Sequence, residues 1–400
     1  MGARRLIAVM CLAEVLTMVS VFAFPALLPA FISDWRLSNT NAGWIAGIYF
    51  AGYAAASVLL VLTDRVDARL IYVGGALTAA LSALAFALFA RGFWMALALR
   101  FIAGVGLAAT YMPGLRVLID RYRGDRPSRA VALYTSSFSL GTAVSYFLAG
   151  VIADLAGWPW AFGAAALGAF AAAVVVLLLP AHRPEAPPEG GRLLDFRPVF
   201  GERTVMGYVL AYAVHCWELF TWRSWMVAFL AFSLVLHPDP MGSVLSPTMV
   251  ATISGLVAWA ASIGGNELCV RYGRRRVIGM VMACSAAMAA GIGFAAPLPY
   301  LVVVVLALVY SAAVQLDSGA LTAGAVAAAR PGRRGATMAV HAVLGFAAAG
   351  IGPIVLGRLL DLSGGGESAT SWGLAFASVA AVGVLGPLAL RLVAPEARRT

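Results

Sequence analysis

Two long apolar tracts, of about 180 and 200 residues, flank one polar stretch at Pro180–Arg203 (PAHRPEAPPEGGRLLDFRPVFGER), and this division limits the fold more than any other feature. The stretch holds eight charged residues in 24, five prolines and a Gly-Gly pair. Proline lacks the backbone donor that helices and strands need, so the stretch reads as a water-exposed linker. The tracts read the opposite way. The chain is 62% hydrophobic and 12% charged, whereas roughly a quarter of a soluble domain is charged. Segments of ~20 apolar residues cross a bilayer as helices, and only helices or closed barrels satisfy the backbone in lipid. Continuous runs of Ala, Leu and Gly lack the alternation of barrel strands. The expected fold is an all-α membrane protein with twelve transmembrane helices in two pseudo-symmetric six-helix bundles. Residues 1–180 form the first bundle, 181–204 the cytoplasmic linker and 205–400 the second bundle.

The twelve spans are expected at about 5–32, 39–61, 70–90, 93–118, 130–152, 159–180, 205–236, 247–268, 277–296, 299–329, 335–359 and 371–393. All 28 basic side chains are Arg. With the N-terminus in the cytoplasm, 23 of them fall in inside loops and three (Arg36, Arg91, Arg358) outside. That asymmetry follows the positive-inside rule and puts both termini and the linker in the cytoplasm of a bacterial-type inner membrane. The net charge of +10 is thus accounted for by topology, and no nucleic-acid partner is expected. Cys11, Cys216, Cys269 and Cys284 have no metal-type or disulfide spacing. The Met-Gly-Ala-Arg-Arg start resembles a signal peptide, but its apolar run continues to Phe31 and contains Glu14, so it is expected to remain as the first span. Position 6 is Leu, which gives no support for myristoylation.

The halves repeat each other. Gly150, Asp154, Leu155 and Gly157 recur as Gly357, Asp361, Leu362 and Gly364, and Leu62, Arg65 and Arg69 recur as Leu268, Arg271 and Arg275. Six spans before and six after a linker, in parallel repeat, is the layout of transporters whose halves rock about a site near the midplane. Short motifs add to this. Leu62, Asp64, Arg65 and Arg69 lie between spans 2 and 3, Leu268, Arg271, Gly273, Arg274 and Arg275 between spans 8 and 9, and Arg100, Gly104 and Gly106 in span 4. Over essentially its whole length the chain resembles the major facilitator superfamily, whose loop signature runs roughly G-x-L-x-D-R-x-G-R-R. It departs from that signature at Leu60, Asp67 and Ala68, and Val270 replaces the acid of the second copy. Span 5 lacks the Gly-Pro of the family's antiporters; Gly352-Pro353 stands in span 11 instead.

The resemblance implies that spans 1, 4, 7 and 10 line a central cavity and that 2, 5, 8 and 11 lie between the halves. It also implies a cytoplasmic gate at Asp64, Arg65, Arg69, Arg271 and Arg275; the alternative is solvated loop charges worth at most ~1 kcal/mol. Gly43, Gly47 and Ala51 form a small-residue face on span 2 that admits another helix closely.

Ionisable side chains inside a span are costly, so each is a candidate for function. Glu14, Glu218, Asp317 and Arg100 are the proton-coupling candidates. Glu14-Val-Leu-Thr17 and Glu218-Leu-Phe-Thr221 look like repeat partners, one acid per half. Candidates for contacting solute are His215, Trp222, Arg223, Gln315, His341 and Tyr134. His215, Glu218 and Trp222 share one helical face by spacing, with Arg223 turned about 100° from Trp222. The bland alternative is a satisfied polar cluster that holds helices together. Arg223 either binds an anion through its fork of donors or neutralises an acid such as Glu14 or Asp317. Scattered Met, Cys and His supply soft-metal ligands, but no multi-ligand spacing, so neither a metal site nor a cofactor is expected.

The expected activity is proton-coupled secondary transport of a small polar solute, an organic or inorganic anion being favoured because two Arg lie within spans. Other readings are a drug or metabolite exporter, a copper or other metal importer, and a non-transport membrane enzyme or assembly factor. No catalytic constellation is present. The expected partners are the solute, protons and membrane lipids, with the chain acting as a monomer.

Overall fold

The computed structural model describes residues 2–58, 63, 65–125, 127–182, 196–330 and 333–393. Asp64, Leu60, Leu62 and most of the expected linker (183–195) lie outside these. Among the described residues the secondary structure is helical, with no strand. Ten helices among the described residues are long and apolar enough to cross a membrane.

The first expected span is interrupted. It comprises α1 (Ala3–Met18), α2 (Ala23–Ala26) and α3 (Leu28–Asp34). Pro25 has no N–H to continue the ladder, and residues 19–22 form turns. Span 2 is α4 (Asn39–Ser57), and α5 (Ala68–Phe89), α6 (Phe93–Arg121), α7 (Pro127–Ala156) and α8 (Trp158–Leu177) follow as spans 3 to 6. A single turn, α9 (Arg197–Phe200), precedes α10 (Arg203–Leu236), at 34 residues the longest helix described. Spans 8 and 9 are α11 (Pro247–Tyr272) and α12 (Arg274–Ile292). Span 10 is also interrupted, into α13 (Tyr300–Gln315) and α14 (Ser318–Ala328), and α15 (Arg334–Leu362) makes span 11. Span 12 is α16 (Ala369–Gly383) with the short α17 (Leu385–Ala389).

The repeated glycines have a structural cause. Gly157 (φ 89°) and Gly364 (φ 110°) follow the ends of α7 and α15 in the left-handed region, where a residue without Cβ ends a helix at least cost.

The chain folds as two compact units: residues 1–27 with 48–193, and residues 28–47 with 194–400. In the first, α5 lies against α6 and α8, and α1 against α7 and α8. Leu6, Met10, Tyr72, Val117, Tyr134 and Val176 are among the side chains of one apolar core there. In the second, α10 packs on α15, α14 and α13. The first half of α4 also belongs to this unit, and here the small-residue face of span 2 meets α15. A Cβ on Gly43 would stand 2.4 Å from the Pro353 carbonyl oxygen, and one on Gly47 2.1 Å from that of Gly350. Only glycine permits that approach.

Candidate functional site

In the first unit, the interruption of span 1 leaves backbone carbonyls without helical partners, as helix ends do. Arg100, buried on α6, donates to Ser20 O at 3.1 Å and Val21 O at 3.0 Å. Its guanidinium also sits 4.2 Å from the Tyr49 ring centre, a favourable cation–π position. Ser145 completes the repair, donating to Val19 O at 2.7 Å and accepting from Phe22 N at 3.0 Å. The two glycines after Arg100 let neighbouring helices close. A Cβ on Gly104 would fall 1.8 Å from Tyr49 O of α4, and one on Gly106 2.8 Å from Ala79 N of α5. The R-x-x-x-G-x-G pattern therefore builds the packing around a broken helix.

Glu14 on α1 is buried beside α7, where the Ser137 hydroxyl donates to its Oε2. The same hydroxyl lies 2.6 Å from Tyr134 O. A hydroxyl has one proton for two acceptors, so the set is complete when the carboxyl itself carries a proton and donates to Ser137. Tyr134 belongs to the first unit. Its hydroxyl donates to Tyr111 O at 2.9 Å over Gly114, where a Cβ would come within 2.2 Å.

The second unit gathers more of the candidates. At the interruption of span 10, Asp317 Oδ1 lies 2.7 Å from His215 Nδ1 of α10, both side chains buried. Tyr212 stacks on the His215 ring and, at 3.7 Å between centres, on that of His341 of α15. His341 Nε2 is 3.3 Å from the Thr322 hydroxyl. Arg223 Nη2 donates to Gln315 Oε1 at 3.0 Å, and Trp222 Nε1 to Ser311 Oγ at 2.8 Å. Gln315 and Ser311 are one turn apart on α13, so the 100° between Trp222 and Arg223 is bridged by the length of the arginine. Glu218 takes a 3.2 Å bond from Ser285 of α12, whose hydroxyl is equally 3.2 Å from Met282 O. That is the one-proton arrangement of Glu14 again. The aromatic rings of Tyr310 and Phe376 flank Trp222.

The gate candidates behave differently. Arg69 donates to the carbonyls of Leu177 and Leu179, at the end of α8. Arg275 donates to Val393 O at 3.0 Å, after α17. Each loop arginine thus caps the last span of its own unit, where cations are favoured at helix C-termini. Arg65 is exposed, and Arg271 lies 5.3 Å over the Tyr272 ring.

Asp67, which departs from the usual glycine, does what sequence reasoning missed. It caps α5 by accepting from Arg69 N at 3.0 Å. Arg121 Nη2 donates to both its oxygens at 2.7 and 2.9 Å, and His182 N donates at 2.9 Å. Burial opposes its ionisation, but these bonds and the Arg121 charge outweigh burial and hold the carboxyl below its ordinary range. An Asp directly before a helix is an N-cap signal, and it was there to be read. At the repeat-equivalent place Gly273 turns with φ 92° instead.

Asp361 of α15 makes a second unforeseen constellation. Its Oδ1 accepts from Asn39 N and Asn39 Nδ2, both at 3.0 Å, and its Oδ2 from Thr40 N at 2.8 Å and the Thr40 hydroxyl at 2.5 Å. The carboxylate occupies the amino end of α4. A Cβ on Gly357 would meet Asn39 O at 2.2 Å.

Titratable side chains buried inside two helical units, at helix interruptions, define a polytopic membrane protein with a polar interior. The chain belongs to the Major Facilitator Superfamily, whose family model matches residues 10–238. It is 25% identical to Protein spinster homolog 1 of Bos taurus over 189 residues, 46% of this chain and 35% of that protein. It is 26% identical to the niacin transporter NiaP of Acinetobacter baylyi over 159 residues, 40% of this chain and 36% of that protein. The chain thus matches about a third of the length of these relatives. Among solved structures, a bacterial homolog of the human lysosomal transporter Spinster, inward-facing and unoccupied, aligns with a TM-score of 0.78 at 14% identity, covering 98% of this chain and 97% of that one. The nucleoside transporter NupG aligns at 0.76 and 14% identity, covering 98% and 100%. These two likenesses establish the fold. Membership of this family speaks against the membrane-enzyme reading.

Proposed function

We propose that the chain is a secondary active carrier that moves a small organic anion across the inner membrane, coupled to protons, with both termini in the cytoplasm. The observation that carries this reading is a pair of buried polar contacts at the interruption of span 10, His215 with Asp317 and Arg223 with Gln315. Discontinuous helices place backbone and side-chain polar groups at the binding sites of carriers. The His215–Asp317 pair is the proton-holding element, and Arg223, fixed by Gln315, is the anion contact. The negative charge of a solute at Arg223 and the positive charge of a proton held by the pair attract each other in a medium of low dielectric. Solute and proton then bind and leave together. Glu14 and Glu218, each facing a serine with one proton to share, are further protonation sites. The likeness to the niacin transporter supports a carboxylate as the solute.

The test is uptake into proteoliposomes carrying a pH-sensitive dye inside. Nicotinate and other small carboxylates are expected to enter down a proton gradient with matching acidification. Asp317→Asn is expected to abolish the gradient's effect, and Arg223→Gln to raise KM for the carboxylate at least tenfold, about 1.4 kcal/mol of lost binding. Uptake that ignores the gradient in the parent, or proton flux that survives Asp317→Asn unchanged, would overturn the coupling assignment.

A further inference from the structure

A groove runs along the outside of the second unit between α12 and the α16–α17 span. Two linked hollows form it, of about 570 and 500 Å³, which share Ala283 and Pro387 in their walls. Small side chains of α12 form much of the groove's floor. Gly279, Ala283, Ala287 and Ala290 are spaced four, four and three apart, so they lie along one face. Neighbouring Met280, Val384 and Leu388 are exposed. On a span that crosses a bilayer, exposed apolar side chains face hydrocarbon. The second hollow, lined by Ala283, Ala287, Ala290, Val384 and Leu388, is therefore an apolar trough on the outside of the unit.

Its other end has different chemistry. Gly273, Arg275 and Arg276 line the first hollow, and among the described residues none that lines either hollow is acidic. Arg275 is held by its bond to Val393 O, which fixes the guanidinium and leaves other N–H donors on it. Arg276 is exposed beside it. Gly273 is the N-cap of the 19-residue α12 and supplies no side-chain cap. The positive end of that helix thus adds to the two arginines. An apolar trough leading to two arginines and a helix amino end matches one class of molecule in a bilayer: a phospholipid with a net negative headgroup.

We propose that this groove is a binding site for one anionic phospholipid of the surrounding bilayer, its phosphate at Arg275 and Arg276 and one acyl chain along Ala283, Ala287 and Ala290. The site is separate from the His215–Asp317 cluster, so it stands or falls independently of the transport reading.

The experiment uses the full chain, purified and stripped of lipid. Retention of phosphatidylglycerol and of phosphatidylcholine with the same acyl chains is measured by native mass spectrometry, alongside the shift in unfolding temperature each lipid causes. Phosphatidylglycerol is expected to be retained preferentially, with the preference falling roughly fivefold for each arginine removed in R276Q and R275Q/R276Q. R275K/R276K, which keeps the charge, should restore most of it and guards against misfolding of the double variant. Ala283→Leu and Ala287→Leu fill the exposed trough and should weaken both lipids. Equal retention of the two lipids, or a phosphatidylglycerol preference unchanged in R276Q and R275Q/R276Q, would overturn the proposal. So would full stabilisation by soluble glycerol phosphate with no effect of the leucine variants, which would make the site one for a free anion.

Discussion

Asp67 shows how much one side chain can organise. Four hydrogen bonds converge on its carboxylate from Arg69, Arg121 and His182, tying the starts of α5 and the ends of α6 and α8. Asp67→Ala removes the cap and the charge-assisted pair together, and about 2 kcal/mol of stability should go with them. Because its pKa in the folded chain is depressed, its contribution is full above the unfolded value of about 4 and disappears as pH falls through the folded value. Melting temperatures in detergent should therefore drop below about pH 4 more steeply in the parent than in Asp67→Asn; parallel curves would remove Asp67 from this role. Arg100 makes a comparable prediction. Arg100→Ala strands two buried carbonyls, at about 1–3 kcal/mol each, and Arg100→Lys should recover part of this, since an ammonium lacks the planar fork. Chemical denaturation of the two variants checks the order. The identity of the interior acids and bases was legible because charge within an apolar run is conspicuous. Their partners were not: Ser137 lies 123 residues from Glu14 and Gln315 92 from Arg223, and no spacing rule reaches that far.

At the scale of elements, the two interruptions matter most. Continuous apolar sequence predicts continuous helices through residues 5–32 and 299–329, yet α1 to α3 and α13–α14 are broken. The local signals, Pro25 in one and Asp317-Ser-Gly in the other, are helix-stop and helix-start chemistry. Hydropathy averages over them, because a window long enough to find a span is too long to see a break within it. At the second break Gly265 lets α11 come close, since a Cβ there would lie 1.8 Å from the Leu316 carbonyl oxygen. Gly265→Ala must push α11 off that turn. It should displace Asp317 from His215 and cost transport more than it costs stability, read as uptake rate against melting temperature. The equivalent change at Gly264, which has open space around its Cα, should do neither.

For the whole molecule, composition and charge placement carried the class, and the internal repeat carried the layout. The repeat was visible because it preserves residues with fixed jobs at helix ends: glycines with positive φ and arginines that cap a final span. The orientation remains an expectation from the arginine distribution, and it makes a prediction of its own. In a background without native cysteines, Gly201→Cys should react with a membrane-impermeant maleimide only after the cells are opened, and Glu367→Cys in intact spheroplasts. The reverse pattern would invert the topology. One contact also sets an order in time. Asp361 grips the amino end of α4 across 322 residues of chain. At about 5–20 residues per second, synthesis delivers that carboxylate on the order of half a minute after α4 has entered the membrane. Until then the first N–H groups of α4 lack their acceptors. The newborn chain must keep this end of α4 solvated or guarded while it waits, and a chain arrested short of Asp361 should be nicked by protease near Asn39, where the finished protein resists.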